Sequence, residues 1–305
     1  MKVTFWGVRG SIPTPGYETA RYGGNTLCVE VSLVECGRTI VIDAGSGIRR
    51  LGLDLMARPG RAPRVTLDLF LTHTHLDHIL GLPFFQPLYR SDTQVSLYGP
   101  VTSSEGSLKK VIGGQLSYQY FPVRQVELAA DIRYVDLAEG VYDIGDGIRI
   151  SATYLNHPLL CLGYRLESRG KVLCTAFDTE PFHNIFSTAP SDPGYDESMA
   201  REGAQAACEA NLRIQEFFRG ADLLIHDGQF TAAEYAAGRA GWGHSPIEHA
   251  MAVAEACGAR CLALVHHDPM RTDPELDGLA QRYGGVRQGS GLDVCFAHEG
   301  LTVTL

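Results

Sequence analysis

No apolar run in these 305 residues approaches the eighteen or so that a membrane span requires. The first residues, Met1 to Arg9, lack the long apolar stretch and small-residue cleavage site of a signal peptide and read as a β-strand. The expectation is a cytoplasmic protein with no membrane partner. No CxxC pair occurs: the eight cysteines (Cys28, Cys36, Cys161, Cys174, Cys208, Cys257, Cys261, Cys295) are scattered and sit mostly in apolar stretches. They read as reduced core residues, which disfavours a thiolate zinc site. No basic tract occurs either. The formal net charge is −9, and Arg49-Arg50 and Lys109-Lys110 are isolated pairs. A large nucleic acid gripped through many phosphates is therefore disfavoured. Repeats, low-complexity segments and long linkers are missing too, so residues 1–305 read as one domain.

Histidine, by contrast, is concentrated. Three of the eleven histidines and an aspartate fall within His73-Thr74-His75-Leu76-Asp77-His78. Val65 to Leu71, just before them, is apolar and β-branched and reads as a strand; Ile79 to Tyr89, just after, is interrupted by Gly81, Pro83 and Pro87. The cluster thus lies on a loop where a strand ends. Imidazole and carboxylate are ligands for zinc, manganese and iron. In extended chain alternate side chains share a face, so His73, His75 and Asp77 point one way while His78 follows as the chain turns. One loop can then serve two ions about 3.5–4 Å apart, the spacing of two-metal hydrolytic sites.

The remaining chain alternates strands and helices. Lys2 to Val8, Leu27 to Val34, Thr39 to Ile42, Gln94 to Tyr98, Ile132 to Leu137 and Ile148 to Leu155 read as strands, as do 160–167 and 171–176, a hairpin around Arg169-Gly170. Ala221 to Ile225, Cys261 to Val265, Leu292 to Phe296 and Leu301 to Leu305 complete them. Helices are expected over 48–57, 101–112, 198–219, 231–237, 247–256 and 274–283. Strands cluster in both halves with helices after them. This suits an α/β protein with two sheets packed face to face and helices outside, a four-layer αββα sandwich.

Several single residues stand out, each with two readings. Arg9 and Ser11 lie in a glycine-flanked loop, where they contact an anion or are plain loop residues. Asp43 ends a strand before Gly45, either capping the next helix or orienting ligand histidines. Ser117 and Tyr118 lie in the irregular aromatic stretch 113–122, which is a substrate-pocket wall or simple packing. His157 and Asp178 each sit where a strand ends, a place where such residues are usually structural.

Thr72 to His78 resembles the HxHxDH signature of the metallo-β-lactamase superfamily, a far more specific motif than a lone HxH. The resemblance implies the αββα fold. It assigns His73, His75, His157 and Asp178 to one ion, and Asp77, His78, Asp178 and His266 to the other, with Asp178 bridging. It also makes Asp43 a support for the ligand histidines. His266 competes with His267; His266 is preferred because it directly follows the apolar strand, and His267 then faces substrate. Leu223 to Gln229, Gly243-His244-Ser245-Pro246 and Val265-His266-His267 resemble the C-terminal half of tRNA 3′-endonucleases and related phosphodiesterases. By that resemblance His244 donates a proton to the leaving group and His226 orients the site. The resemblance spans about Lys2 to Pro269.

One departure narrows the function. The tRNA enzymes carry a long arm between the third histidine motif and the bridging aspartate, whereas here only a hairpin separates His157 from Asp178. The expectation is a metal-dependent hydrolase, a phosphodiesterase for a small substrate such as a cyclic nucleotide or cyclic phosphate. Two divalent ions serve it, zinc by expectation, with manganese or iron suiting the same donors. Asp77 is both ligand and proton acceptor, and His244 is the acid. The alternatives are an RNA-cleaving nuclease, a thioester or lactone hydrolase, and a metal-bound sensor with little turnover. Related enzymes are commonly dimers, which implies a homodimer, although no segment reads as a dedicated interface.

Overall fold

Strand-forming sequence comes first. In the computed structural model, which describes residues 1–58, 65–101 and 106–305, six strands precede residue 140. They are β1 (Lys2–Gly7), β2 (Cys28–Leu33), β3 (Arg38–Ile42), β4 (Val65–Phe70), β5 (Thr93–Pro100) and β6 (Asp131–Leu137). Eight follow: β7 (Gly140–Asp143), β8 (Ile148–Tyr154), β9 (Leu162–Ser168), β10 (Lys171–Ala176), β11 (Leu223–Asp227), β12 (Cys261–Val265), β13 (Gly285–Val286) and β14 (Asp293–Phe296). The last strand, β15 (Thr302–Thr304), returns to pair with β1. Among the described residues these make two sheets, ordered β15-β1-β2-β3-β4-β5-β6 and β13-β14-β12-β11-β10-β9-β8-β7.

The helices are α1 (Ile48–Ala57), α2 (Leu76–Ile79), α3 (Leu108–Gln115), α4 (Glu197–Phe217), α5 (Ala232–Ala236), α6 (Ile247–Ala256) and α7 (Asp273–Tyr283). Their starts follow local chemistry. Asp196 accepts from the Met199 N–H at the head of α4, and Thr272 with Glu275 forms a capping box at α7. Of the helix expected over 101–112, residues 102–105 lie outside the described residues; α3 begins later, capped by Ser107.

Three apolar layers hold the elements together, as the αββα arrangement requires. Between the sheets lie Phe5, Val31, Ile40 and Phe70 from the first and Ile150, Leu166, Leu173 and Ile225 from the second. Ile48, Leu51 and Leu55 of α1 pack on Val41, Leu67 and Leu69, while Ile247, Ala250 and Met251 of α6 pack on Leu224, Leu262 and Leu264. Each fully buried aliphatic side chain contributes about 1.5–3 kcal/mol. Among the described residues no helix is long and apolar enough to cross a membrane.

Strand direction places the chemistry. β3 and β5 run parallel to β4, and β10, β11 and β12 run parallel to one another. β8 has the same sense as β10, because each is antiparallel to β9. Their C-terminal ends therefore share one edge. The loops leaving them carry Asp43 (after β3), His73 to His78 (after β4), His157 (after β8), Asp178 (after β10) and His266 (after β12); Asp227 ends β11. The two sheets are tied at this edge by Leu162 N–H donating to Thr72 O (2.8 Å) and Tyr164 O–H donating to Leu71 O (2.5 Å).

Candidate metal centre

His73, His78 and Asp178 are buried, yet His73 Nε2, His78 Nε2 and Asp178 Oδ1 have no hydrogen-bond partner. Leaving a buried polar atom unpaired costs about 1–3 kcal/mol. Three such atoms in one place call for a common partner. Around them two sets of donors converge: His73, His75, His157 and Asp178, and Asp77, His78, Asp178 and His266. Within each set the donor atoms lie within 4.8 Å of one another. Asp178 belongs to both. Its Oδ2 is 3.6 Å from His73 Nε2 and 3.4 Å from His266 Nε2, and its Oδ1 is 3.2 Å from His78 Nε2. Asp77 Oδ2 is 3.3 Å from both His78 Nε2 and His266 Nε2. His75 Nδ1 and His157 Nε2 face each other at 3.1 Å.

The outer ring nitrogens fix the tautomers. His78 Nδ1–H donates to Asp43 Oδ2 (2.6 Å), His157 Nδ1–H to Gly243 O (3.0 Å) and His266 Nδ1–H to Gln229 Oε1 (3.1 Å). Thr72 donates its hydroxyl to Asp43 (2.8 Å), so that oxygen is free to accept from His73 Nδ1–H (3.1 Å). Each of these four rings turns its Nε2 toward the carboxylates, and once that nitrogen carries no proton this is the orientation in which histidine binds metal. Oxygen and imidazole donors in two sets sharing one carboxylate fit a pair of divalent cations such as zinc.

Electrostatics without cations shows the same demand. Burial, with help from His78, lowers His73 well below the ordinary histidine range, and burial takes His157 to about 4. Burial also opposes charge on His78 and His266, but the carboxylates around them outweigh it. His78 rises well above its ordinary value, and His266, beside Asp178, Asp77 and Asp227, rises to about 9. Asp77 and Asp178 resist burial because of the adjacent histidines and are held far below the usual carboxylate range. Protons on His78 and His266 thus do the balancing that cations would do.

The backbone is shaped around these groups. Asp43 and His266 take left-handed conformations, φ 60° and 59°, as does Ser11 at φ 64°. Asp and His tolerate this region better than most residues, and each instance costs on the order of 1–3 kcal/mol. Glycine is required twice. A Cβ on Gly10 would lie 2.2 Å from the His266 ring, and one on Gly243 would lie 2.3 Å from His157 Nδ1.

His244 and Asp227 form a third feature. His244 Nδ1–H donates to Asp227 Oδ2 at 2.9 Å, and Nδ1 lies 4.0 Å from Asp178 Oδ2. With His266 they make a further group of possible ligands, but the direct hydrogen bond identifies Asp227 and His244 as a dyad. Asp227 was not among the residues expected from sequence. The signal was available in the alternation of β11: Leu223 and Ile225 face the space between the sheets and Leu224 faces the helices. That alternation puts Asp227 on the site face and His226 on the helix side. His226 accordingly does not orient the site. Its Nδ1–H donates to Asp227 O (2.8 Å), its ring lies against Phe218 and His249, and burial lowers its pKa to about 3. Gln229 and Thr72, which hold His266 and His73, were also not expected.

Other expectations are corrected. Arg9 is not available to a substrate anion, because it is spent inside the protein, with Asp273 Oδ1 3.9 Å from its Nη2. It is buried, its Nε donates to Gly23 O (2.8 Å) and its Nη1 to Arg271 O (2.6 Å) and Asp268 O (3.2 Å). It clamps the first loop to the chain beyond β12. Ser11 reaches the site through its backbone, with the N–H donating to Asp77 Oδ2 at 2.7 Å. His267 does not face substrate: it is buried, Nε2–H donates to Ala297 O (2.8 Å), and the ring packs on Phe296 and Tyr22. Tyr118 is exposed and paired with Arg124 and Glu127, and Ser117 O accepts from the N–H groups of Tyr120 and Phe121 to close a turn. Neither Ser117 nor Tyr118 contacts the centre. Asp43 meets His78 through that Nδ1–H hydrogen bond.

Comparison with known proteins agrees with this architecture. Residues 38–189 match the model of the β-lactamase superfamily domain. The chain is 28% identical over 296 residues to a ribonuclease Z from Haloarcula marismortui, covering 87% of this chain and 86% of the relative. Among solved structures it resembles the metallo-β-lactamase fold protein YhfI from Bacillus subtilis, with TM-score 0.64, 18% identity and coverage of 99% of both chains. A diphosphatase from the PhnP family gives TM-score 0.64 at 16% identity, covering 100% of this chain and 97% of that one. These two structural likenesses show the fold.

Proposed function

The chain belongs to the metallo-β-lactamase superfamily of metal-dependent hydrolases, and we propose that it is a phosphodiesterase with two ions, acting on a small phosphodiester. The observation that carries this reading is Asp178, a single buried carboxylate common to two complete ligand sets. His73, His75 and His157 would complete one set, and Asp77, His78 and His266 the other. Bound there, divalent ions supply Lewis acidity and a water of lowered pKa.

The chain's own residues do the rest. Asp77, held at the mouth of the second ligand set, accepts a hydrogen bond from the attacking water and aligns it. Ser11 N–H fixes the Asp77 carboxylate. His244, with Nδ1–H anchored on Asp227, presents Nε2 to the departing oxygen and delivers a proton there. Glu180 steadies the loop carrying His244: its Oε2 accepts from Tyr235 O–H and Gly241 N–H, each at 2.8 Å.

A small substrate is favoured by the net charge of −9 and by the chain between His157 and Asp178, which is taken up by the β9–β10 hairpin. Similarity to a ribonuclease Z over most of the chain supports a second reading, cleavage of RNA. Zinc-loaded protein assayed on alkyl and aryl phosphodiesters, a single-stranded RNA oligonucleotide, and thioester and lactone panels separates the two. The proposal requires turnover of small phosphodiesters exceeding that of RNA, with no ester turnover. Preferential RNA cleavage would move the assignment to the nuclease, and ester turnover alone would remove it.

A further inference from the structure

His244 is delivered by the loop between α5 and α6, and that loop is pinned on several sides. Glu180 holds it at Gly241 N–H (2.8 Å), and Gly243 O accepts from His157 Nδ1–H (3.0 Å). The buried ring of Phe230 supports it, with centroids 6.4 Å from Trp242 and 6.3 Å from His244. On this fixed stretch stands Arg239. Its guanidinium carbon is 4.4 Å from the Trp242 ring centroid and 5.9 Å from that of Phe230. Trp242 is 54% exposed and Arg239 is exposed too, so the stacked pair meets solvent.

Among the described residues no carboxylate or carbonyl takes the Arg239 side chain; its contacts are the two rings. The carboxylates tied to this loop and to α5 are committed elsewhere, Glu180 to Tyr235 and Gly241 and Glu234 to Arg271 and Thr231. Stacking uses the face of a guanidinium and leaves the N–H donors in its plane free. It also holds a long side chain in place before anything binds, which lowers the ordering cost of binding. A planar fork of this kind matches a carboxylate, which one guanidinium satisfies. A phosphate dianion asks for further cations, and the net charge of −9 opposes it more than a monoanion. Arg239 and Trp242 share their loop with His244, whose Nε2 faces the departing oxygen. A group that meets Arg239 therefore belongs to the departing alcohol.

We infer that Arg239, held flat on Trp242, is a specificity-determining residue that binds a carboxylate on the departing alcohol, so that the substrate is a phosphodiester of a hydroxy acid. This rests on the phosphodiesterase reading and deepens it. Hydrolysis joins the water oxygen to phosphorus and breaks the bond from phosphorus to the hydroxy acid's oxygen, which takes the His244 proton.

The test uses zinc-loaded protein and methyl phosphate diesters of two hydroxy acids, 4-hydroxybutanoate and 6-hydroxyhexanoate, each matched with the neutral diester of the corresponding diol. The acid diester of at least one length should be preferred about tenfold or more in kcat/KM, the order a charge-assisted pair gives, and should release the hydroxy acid rather than methanol. Arg239→Met should abolish the preference and leave the neutral diesters unchanged; Arg239→Lys should restore part of it. Trp242 is one of two tryptophans. In the Trp6→Phe variant its fluorescence should change when the free hydroxy acids are added, not with the diols, and not once Arg239→Met is combined with it. Equal rates on acid and neutral diesters, together with silent fluorescence, overturn the carboxylate site and leave the phosphodiesterase reading standing. A fluorescence response that needs Arg239, with no diester cleaved, supports the site and overturns the reading beneath it. Equal losses on both kinds of diester in Arg239→Met would make the stack a support for the His244 loop alone and overturn the inference. So would faster cleavage of a phosphate-bearing diester, methyl 3-phosphonooxypropyl phosphate, than of either acid.

Discussion

His244 Nδ1 lies 2.9 Å from Asp227 Oδ2, and Asp227 is buried at the end of β11. The carboxylate can only accept, so it fixes the imidazole tautomer and stabilises the ring when protonated. A general acid of this kind contributes about 10²–10⁴-fold. Asp227→Asn and His244→Ala should therefore each lower kcat by about 10²-fold or more on a diester with an alkoxide leaving group. The loss should be much smaller on a p-nitrophenyl ester, whose leaving group needs little protonation. The double variant should be no worse than the poorer single one. Equal losses across leaving groups, read from a series of rates, would show that the dyad does not protonate the departing oxygen.

Metal content separates the two sets. His73→Ala removes a donor from one set alone, and Asp178→Ala removes the donor both share. Elemental analysis after zinc loading and desalting should give two ions per chain for the wild type, about one for His73→Ala and fewer than one for Asp178→Ala. Two ions retained in Asp178→Ala would contradict the bridging arrangement.

Proton release follows from the raised histidines. Without cations His266 holds its proton to about pH 9, and His78 titrates well above its ordinary value. Cation binding must displace both protons, so apparent zinc affinity should rise with pH from 6 toward 9. The metal-free fold should behave oppositely. His266 is more basic folded than unfolded, so its contribution to stability is complete below about pH 6.5 and is lost as pH rises through 9. Chelator competition and denaturant titrations, each at several pH values, check the two slopes; a metal-free protein that gains stability between pH 7 and 9 would oppose this account.

Arg9 and Gly10 act on the site from outside it. Removing the buried guanidinium of Arg9 leaves three carbonyls without their donor and takes from Asp273 one of its two arginine partners. Arg9→Met should cost about 3–5 kcal/mol of unfolding free energy, measured by urea denaturation. Gly10→Ala forces a methyl group into the His266 ring. It should weaken binding of one ion while leaving the other, giving biphasic zinc titrations. A wild-type zinc isotherm for Gly10→Ala would show that His266 can shift at no cost.

Much of this centre was legible because its ligands announce themselves locally. His73 to His78 form one short stretch, and His157, Asp178 and His266 each come within three residues of a strand's end. The four-layer fold was legible for the same reason, since its strands are long and apolar. The short strands β7 and β13 were not, having too few residues for a period. Arg9 was misjudged because sequence shows a loop arginine between glycines and cannot show that Asp273, far along the chain, folds back beside it. Asp227 was missed because a neighbouring histidine drew the assignment, although the alternation of β11 decides between them. His267 was misplaced for a related reason: the left-handed turn at His266 sends the next side chain back into the core.

The central claim is that two cations sharing Asp178 carry phosphodiester hydrolysis. The most direct measurement is the rate of hydrolysis of bis(p-nitrophenyl) phosphate as metal-free protein is titrated with zinc. The account predicts little activity through the first equivalent, a rise across the second and a plateau beyond it, with Asp178→Asn never reaching that plateau. Full activity at one equivalent, or none at two, would contradict it.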